Sequence, residues 1–355
     1  MSRRAAALVA LCAPALAVAG CGGSRVRASA VGAGSSAAKA PPTGPASTAA
    51  RLLRLPPLRG RSALPGYLMI ADRDNNRVIV VSPDHRVVWR FPRAGALAPG
   101  QRFAGPDDAF LTPSGRAIVT NEEYSDTISE IALGPRPRIV WSYGHAGASG
   151  SAPGYLAHPD DAYVLPNGLV SVADIVNCRV LFLGRTGRIV RSIGSAGACT
   201  HDPPRTLDAP NGDTPLPDGG VLVTEIGGWI DRFDRRGRLV FSIRSPTDYP
   251  SDAQLLPGGN LLVAGFNTPG RIDVLTPTGH IVWTYARAGG PGGLDRPSLA
   301  VALANGTIAA TDDWHHRVVL IDRRTKRIVW QYGHLGRAGS APGYLDKPDG
   351  LQLVG

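Results

Sequence analysis

At intervals of 40 to 53 residues a proline is followed nine positions later by a glycine: Pro106 and Gly115, Pro159 and Gly168, Pro210 and Gly219, Pro250 and Gly259, Pro297 and Gly306. A sixth proline, Pro348, runs instead into Gly355, while a further glycine, Gly66, opens the first strand-like run near the N-terminus. One repeat is therefore cut in two, with its first quarter at the C-terminus and the remainder at the N-terminus. A ring closed by its own two ends requires such a division.

Six positions after each glycine stands Asp72, Asn121, Asp174, Glu225, Gly265 or Asp312, each ending an apolar run. Self-similarity at this period, with short apolar runs separated by Gly, Pro and Asp turns, marks a propeller. Each unit supplies four runs. In the third they are 161–165, 169–173, 179–183 and 188–193, with Pro166-Asn167-Gly168 and Arg185-Thr186-Gly187 as turns. Named a to d in chain order, strand a of the first unit comes from 351–354 and strands b to d from 67–91. The expected fold class is all-β: a six-bladed β-propeller of four-stranded blades over 61–355, closed by the C-terminal strand, with no helical periodicity after residue 20. Radial repetition leaves only short outer edges exposed.

The units Asp72-x-x-Asn75-x-Arg77-Val78 and Asp174-x-x-Asn177-x-Arg179-Val180, and less fully Asp312-x-x-His315-x-Arg317-Val318, resemble the NHL-repeat propellers. The stretch from Tyr143-Gly144 through Gly154-Tyr155-Leu156 resembles the glycine-rich connector of that family. Asp322-x-x-Thr325 before Trp330, and the Ile-Val-Trp runs ending at Trp141, Trp283 and Trp330, resemble the tryptophan motif of PQQ-binding-like repeats. These resemblances imply a fold rather than an activity. The quinone PQQ is not expected, since quinoprotein dehydrogenases use eight blades and an adjacent cysteine pair. The tryptophans, with Trp89, are expected to pack between blades.

Ser2-Arg3-Arg4 and the apolar run 5–19 read as an export signal over 1–20, too short for a membrane span. It ends in Val18-Ala19-Gly20-Cys21, which resembles a bacterial lipobox and implies a diacylated Cys21 on the extracytoplasmic face of the cell membrane. A soluble secreted protein cut elsewhere is the plain alternative. Residues 21–60, rich in Ala, Ser, Gly and Pro, are expected to be a disordered tether reaching about 35 Å.

The chain carries 38 basic against 28 acidic residues, and loss of Arg3 and Arg4 leaves 36 against 28. Nucleic acid is not the expected partner, because no recognition helix or stacking aromatic motif accompanies the arginines. Many cluster at c-to-d turns (Arg185, Arg188, Arg235, Arg236, Arg238, Arg323, Arg324, Arg327), which either face an anionic bilayer or simply keep the hairpin tips solvated. A monomer is expected.

The opposite face gathers the b-to-c turns and the blade connectors. Two connectors are near copies, from Gly144-His145 to Leu156 and from Gly333-His334 to Leu345. Inner strands begin with Asp107, Asp108, Asp160, Asp161, Asp252 and Asp349, a ring of carboxylates at the channel mouth; these, with His145 and His334, are the expected ligand-binding residues. Asp108, Asp161 and Asp252 are the metal candidates, with Ca²⁺ the cation such hard oxygen ligands take, and Asn211 and Asp213 could add to them. The bland reading is that each Asp turns its own strand through backbone N–H groups. His158 and His201 are the catalytic candidates. No H-x-x-x-H or H-E-x-x-H spacing occurs, so a zinc site would have to be assembled from separate blades. Cys178 and Cys199 remain once Cys12 is removed and Cys21 acylated; one stands in the b-to-c turn of the third blade and the other in the connector leaving it, which predicts a disulfide in an oxidising compartment.

Two functions follow as expectations. The first is a lipid-anchored extracytoplasmic module that binds a ligand or protein on its connector face. The second is an enzyme of the same fold, of lactonase, lyase or sulfotransferase type, with an axial metal or histidine.

Overall fold

The computed structural model describes residues 44–58 and 60–355. The export signal, Cys21 and most of the expected tether lie outside these residues.

Six four-stranded antiparallel sheets follow one another along the chain. Blade 1 consists of Pro348–Val354, Tyr67–Asp72, Arg77–Val81 and Val87–Phe91. Blade 3, with strands Pro159–Val164, Val170–Asp174, Arg179–Leu183 and Ile189–Gly194, matches the sequence reading to within two residues at every end. The blades form a closed ring, each packing its inner strands on the next, and Pro348–Val354 meets both the sixth blade and the second. The C-terminal strand pairs with Tyr67–Asp72 from Tyr67↔Val354 to Asp72↔Pro348, so the division of the first repeat does stitch the ring. Gln352 carries the stitch one blade further, its Oε1 accepting the backbone N–H of Leu111 at 2.6 Å.

Strands b and c of the blades are mostly buried and rich in apolar residues, as two-sided packing between neighbouring blades demands. The strand-d tryptophans do more than fill space. Trp141 and Trp283 donate Nε1–H to the carbonyls of Arg185 and Arg323, 2.9 and 3.0 Å away, each in the c-to-d turn of the following blade. Trp330 does the same to Pro83 of blade 1 at 3.2 Å. The turn arginines are partly engaged: Arg185 pairs with Glu130 at 2.5 Å and lies over Trp141, and Arg238 pairs with Asp234 at 2.7 Å.

The stretch after residue 43 differs from the expected tether. Pro45–Leu52 is an α-helix, α1, with proline in its first turn. Eight residues do not hold a helix alone in water. Packing does it here: Ala49 and Leu53 are buried in a cluster with Tyr67, Met69 and Val354, and Tyr67 donates its hydroxyl to Pro56 O at 2.7 Å. Gly115, at φ 63°, allows the approach, because a Cβ there would meet the Pro45 carbonyl oxygen at 2.1 Å.

Candidate functional site

Consecutive residues of a regular strand face opposite ways, yet Asp107 and Asp108, and Asp160 and Asp161, are all buried side by side. A register break immediately after the repeat proline explains this. In blade 3 the pairing jumps from Pro159↔Asp174 to Ala162↔Val172, and comparable breaks follow Pro210, Pro250 and Pro348. Proline cannot donate to the ladder and is at home at such a bulge. The bulge turns extra side chains onto the axis.

Two overlapping groups result. One comprises Asp107, Asp313 and Asp349 around the Arg73 guanidinium, whose Nη1 lies 2.9 Å from Asp107 Oδ1 and 2.6 Å from Asp349 Oδ2, with Asp160 beside Asp107. The other comprises Asp108, Asp161, Asp213 and Asp252. Partners are scarce. Asp252 Oδ1 accepts the Thr214 hydroxyl at 2.8 Å, Asp161 Oδ2 accepts the Asp213 N–H at 3.2 Å, and Asp313 accepts the Ser298 hydroxyl. Among the described residues Asp108 Oδ1, Asp252 Oδ2, Asp313 Oδ1 and both oxygens of Asp213 have no hydrogen-bond partner. The Ser171 hydroxyl lies close enough to Asp213 to favour its charged form, without hydrogen-bonding geometry. Gly350 completes the cradle, since a Cβ on it would strike Asp108 Oδ1 at 2.3 Å.

The electrostatics follow from burial. Burial pushes Asp108, Asp160, Asp161 and Asp349 well above the usual carboxylate range, and neighbouring carboxylates add to it. Burial likewise raises Asp213 well above that range, Asp252 to about 6 and Asp313 to about 7. Asp107 is the exception: burial opposes its charge, but Arg73 and hydrogen bonds from its neighbours hold it below the ordinary value. Eight buried carboxylates thus have a single arginine among them, the partly exposed Arg73. They cannot all be ionised without protons or cations among them.

The expected ligand-binding carboxylates Asp107, Asp108, Asp160, Asp161, Asp252 and Asp349 therefore come together at the axis, joined by Asp213. Oxygens of Asp107, Asp108 and Asp160 all lie within 4.8 Å of one another; Asp108 is common to this set and to the expected trio of Asp108, Asp161 and Asp252. Asn211 turns to Ser251 and Tyr249 instead. Sequence reasoning did not single out Arg73 or Asp313, which stand in b-to-c turns where only the motif's Asp, Asn and Arg carried a signal.

The histidines go elsewhere. His145 and His334 lie tilted against Tyr155 and Tyr344 of their own connectors, 4.3 and 4.2 Å between ring centroids. His158 stands at the rim, half-exposed, with Nδ1 3.8 Å from Glu123 Oε1. His201 lies off the axis, in blade 4 against Glu225 and Asp231. Cys178 and Cys199 form the predicted disulfide, with Cα atoms 5.2 Å apart.

No protein-family profile matches the chain, and no curated protein matches it in sequence. Solved structures do resemble it in fold. A protein of unknown function from Bacteroides caccae is 17% identical, with a TM-score of 0.57 over 81% of this chain and 98% of that one. A chain of a nidogen/laminin complex is 12% identical, with a TM-score of 0.56 over 80% of this chain and 97% of that one. A catalytically inactive virginiamycin B lyase from Staphylococcus aureus, solved with quinupristin, is 15% identical, with a TM-score of 0.50 over 80% of this chain and 89% of that one. At these identities the likeness is one of fold alone.

Proposed function

We propose that this protein is an exported, lipid-anchored propeller of the NHL type whose axial acidic well binds a hard divalent cation, Ca²⁺ first, as part of a binding module on the connector face. One observation carries the reading: buried carboxylates with unpartnered oxygens, above all Asp213, which is 0% exposed. A divalent cation would neutralise two carboxylates at once and satisfy those oxygens, and hard oxygen ligands favour Ca²⁺ or Mg²⁺ over softer metals. The carboxylates are too deeply buried to admit a larger ligand without movement, so an organic ligand or partner would meet the rim, at Arg73, Glu123 and His158. The disulfide supports export, since such bonds persist in oxidising compartments.

The test is thermal unfolding of the purified full chain after chelation, with Ca²⁺, Mg²⁺ or chelator added. Ca²⁺ should stabilise by about 2.7 kcal/mol at a hundredfold excess over its dissociation constant, and Asp108→Asn with Asp161→Asn should abolish that gain. A melting temperature indifferent to both ions and to chelator would end the metal reading. For the anchor, Cys21→Ser should move the protein from the membrane fraction to the medium.

A further inference from the structure

Blade 4 lacks the arginine by which blades 1, 3, 5 and 6 neutralise their buried acids; blade 2 lacks it as well, but its Glu122 accepts the Ser129 hydroxyl and the Ala104 N–H instead. In blades 1, 3 and 6 the carboxylate ending strand b faces an arginine opening strand c: Asp72 with Arg77, Asp174 with Arg179, Asp312 with Arg317, at 2.6 to 2.8 Å. In blade 5 the acid stands two residues into strand c, and Arg271 pairs with Asp273 at 2.7 Å. Blade 4, with strand b at Val221–Glu225 and strand c at Trp229–Phe233, keeps both acids, Glu225 and Asp231, and has no arginine opening strand c. Trp229 occupies the place facing Glu225. Both carboxylates are 0% exposed, and no arginine or lysine among the described residues forms an ion pair with either.

His201 comes to them instead. It is carried by the connector from blade 3, which the Cys178–Cys199 disulfide ties down two residues earlier. Its ring lies flat on Trp229, centroids 3.9 Å apart and planes parallel. Nδ1 is 3.2 Å from both oxygens of Glu225 and 3.8 Å from Asp231 Oδ2, while Nε2 is 3.1 Å from Ser242 Oγ. Glu225 Oε2 also accepts the Asp208 N–H at 2.5 Å. Both oxygens of Asp231 lack a hydrogen bond of good geometry among the described residues, with the Glu225 carboxyl and the Ser242 hydroxyl beside them. One atom from each of the three side chains falls within a 4.8 Å group.

We propose that His201 Nδ1, Glu225 and Asp231 form a second metal site, built for a single divalent transition ion such as Zn²⁺. Ligands at about 2.0 to 2.1 Å around a tetrahedral ion are roughly 3.3 Å apart, and 3.2 and 3.8 Å are close to that spacing. An imidazole nitrogen with two carboxylates selects such an ion over Ca²⁺. With metal on Nδ1, Nε2 would carry the proton and donate it to Ser242 Oγ, 3.1 Å away, as outer partners of ligating histidines do. Three protein ligands leave a fourth position for water or a substrate oxygen. The metal would thus stand where blades 1, 3, 5 and 6 carry an arginine.

Equilibrium dialysis of the chelator-treated full chain against Zn²⁺, in excess Ca²⁺ to occupy hard-oxygen sites, tests this. One zinc per chain is expected. His201→Ala and Glu225→Gln should each weaken it by tenfold or more, while Asp108→Asn with Asp161→Asn leaves it unchanged. Co²⁺ in place of Zn²⁺ should quench tryptophan fluorescence in the native chain, and Trp229→Phe should remove most of the quenching; this reading needs no folded histidine variant. Absence of zinc binding in excess Ca²⁺, binding of equal strength in both ligand variants, or quenching unaltered by Trp229→Phe would overturn the proposal.

Discussion

The Arg77 guanidinium donates through Nη1 to the carbonyl of Ser340, 2.7 Å away and 263 residues on in the chain. Its Nη2 reaches Tyr344 O at 3.0 Å, its Nε holds Asp72 at 2.6 Å, and Asn75 donates to Gly339 O at 2.9 Å. Blade 3 repeats the device: Arg179 donates to Ser151 O at 2.9 Å and Asn177 to Gly150 O at 2.8 Å. The two near-identical glycine-rich connectors are therefore gripped by the two complete Asp-x-x-Asn-x-Arg units. Connector and motif are two halves of one latch between blades, and their similarity is explained by holding geometry.

Breaking the latch should cost stability in proportion to what is left buried. Asn177→Ala removes bonds to Asp174 and Gly150 and should destabilise by about 1 to 3 kcal/mol. Arg179→Ala strands Asp174, which is 0% exposed, and should cost about 3 to 5 kcal/mol. Urea unfolding checks both, and hydrogen exchange should quicken at Gly150 and Tyr155 first.

Ring closure gives a graded pair of expectations. Deleting residues 348–355 removes the inner strand of blade 1 and should abolish a single cooperative transition. Gln352→Ala keeps the strand but leaves the Leu111 N–H without its 2.6 Å acceptor, a loss of about 1 to 3 kcal/mol. Equal denaturant midpoints for Gln352→Ala and the native chain would show that the stitch to blade 2 carries no energy.

Blade number, ring closure, the disulfide and the Asp–Arg pairs were legible because each is a spacing in the chain: nine residues from Pro106 to Gly115, five from Asp72 to Arg77. The convergence of Asp108 and Asp161 was legible for the same reason. What the chain does not display is cross-strand register. Glu225 meets Asp231 and His201 only through the pairing of strands b and c and the path of a long connector, and the bulge after Pro159 that turns Asp160 and Asp161 together leaves no mark in composition. The helix α1 was hidden differently. Pro45–Leu52 has the composition of a tether and is helical because Ala49 and Leu53 find a blade surface to cover.

Reduction of the Cys178–Cys199 bridge opens a loop of 21 residues and should cost roughly 3 kcal/mol by loop entropy. Because Cys199 holds the connector that carries His201, reduction should also weaken zinc binding in the dialysis assay. Thiol titration of the unfolded, unreduced chain should find neither sulfur free.

Stability should fall as pH rises, with Glu122 as an identifiable source. It is 1% exposed, accepts the Ser129 hydroxyl at 2.5 Å and the Ala104 N–H at 3.2 Å, and is raised by burial from 4.5 to about 7. With the folded value above the unfolded one, the folded state binds the extra proton. Its contribution is complete below the unfolded value and is lost as pH rises through about 7. Asp72, raised by burial to about 6 despite Arg77, acts in the same direction. Asp107 has the opposite sign, but its lowered value confines its effect to stronger acid. The chelated chain should therefore be more stable near pH 5 than near pH 8, Glu122 contributing on the order of 2 kcal/mol. Glu122→Gln mimics the protonated acid at every pH, so it should stabilise the chain near pH 8, change little near pH 5, and flatten the slope between them in urea midpoints. A slope identical to that of the native chain would remove Glu122 as its source.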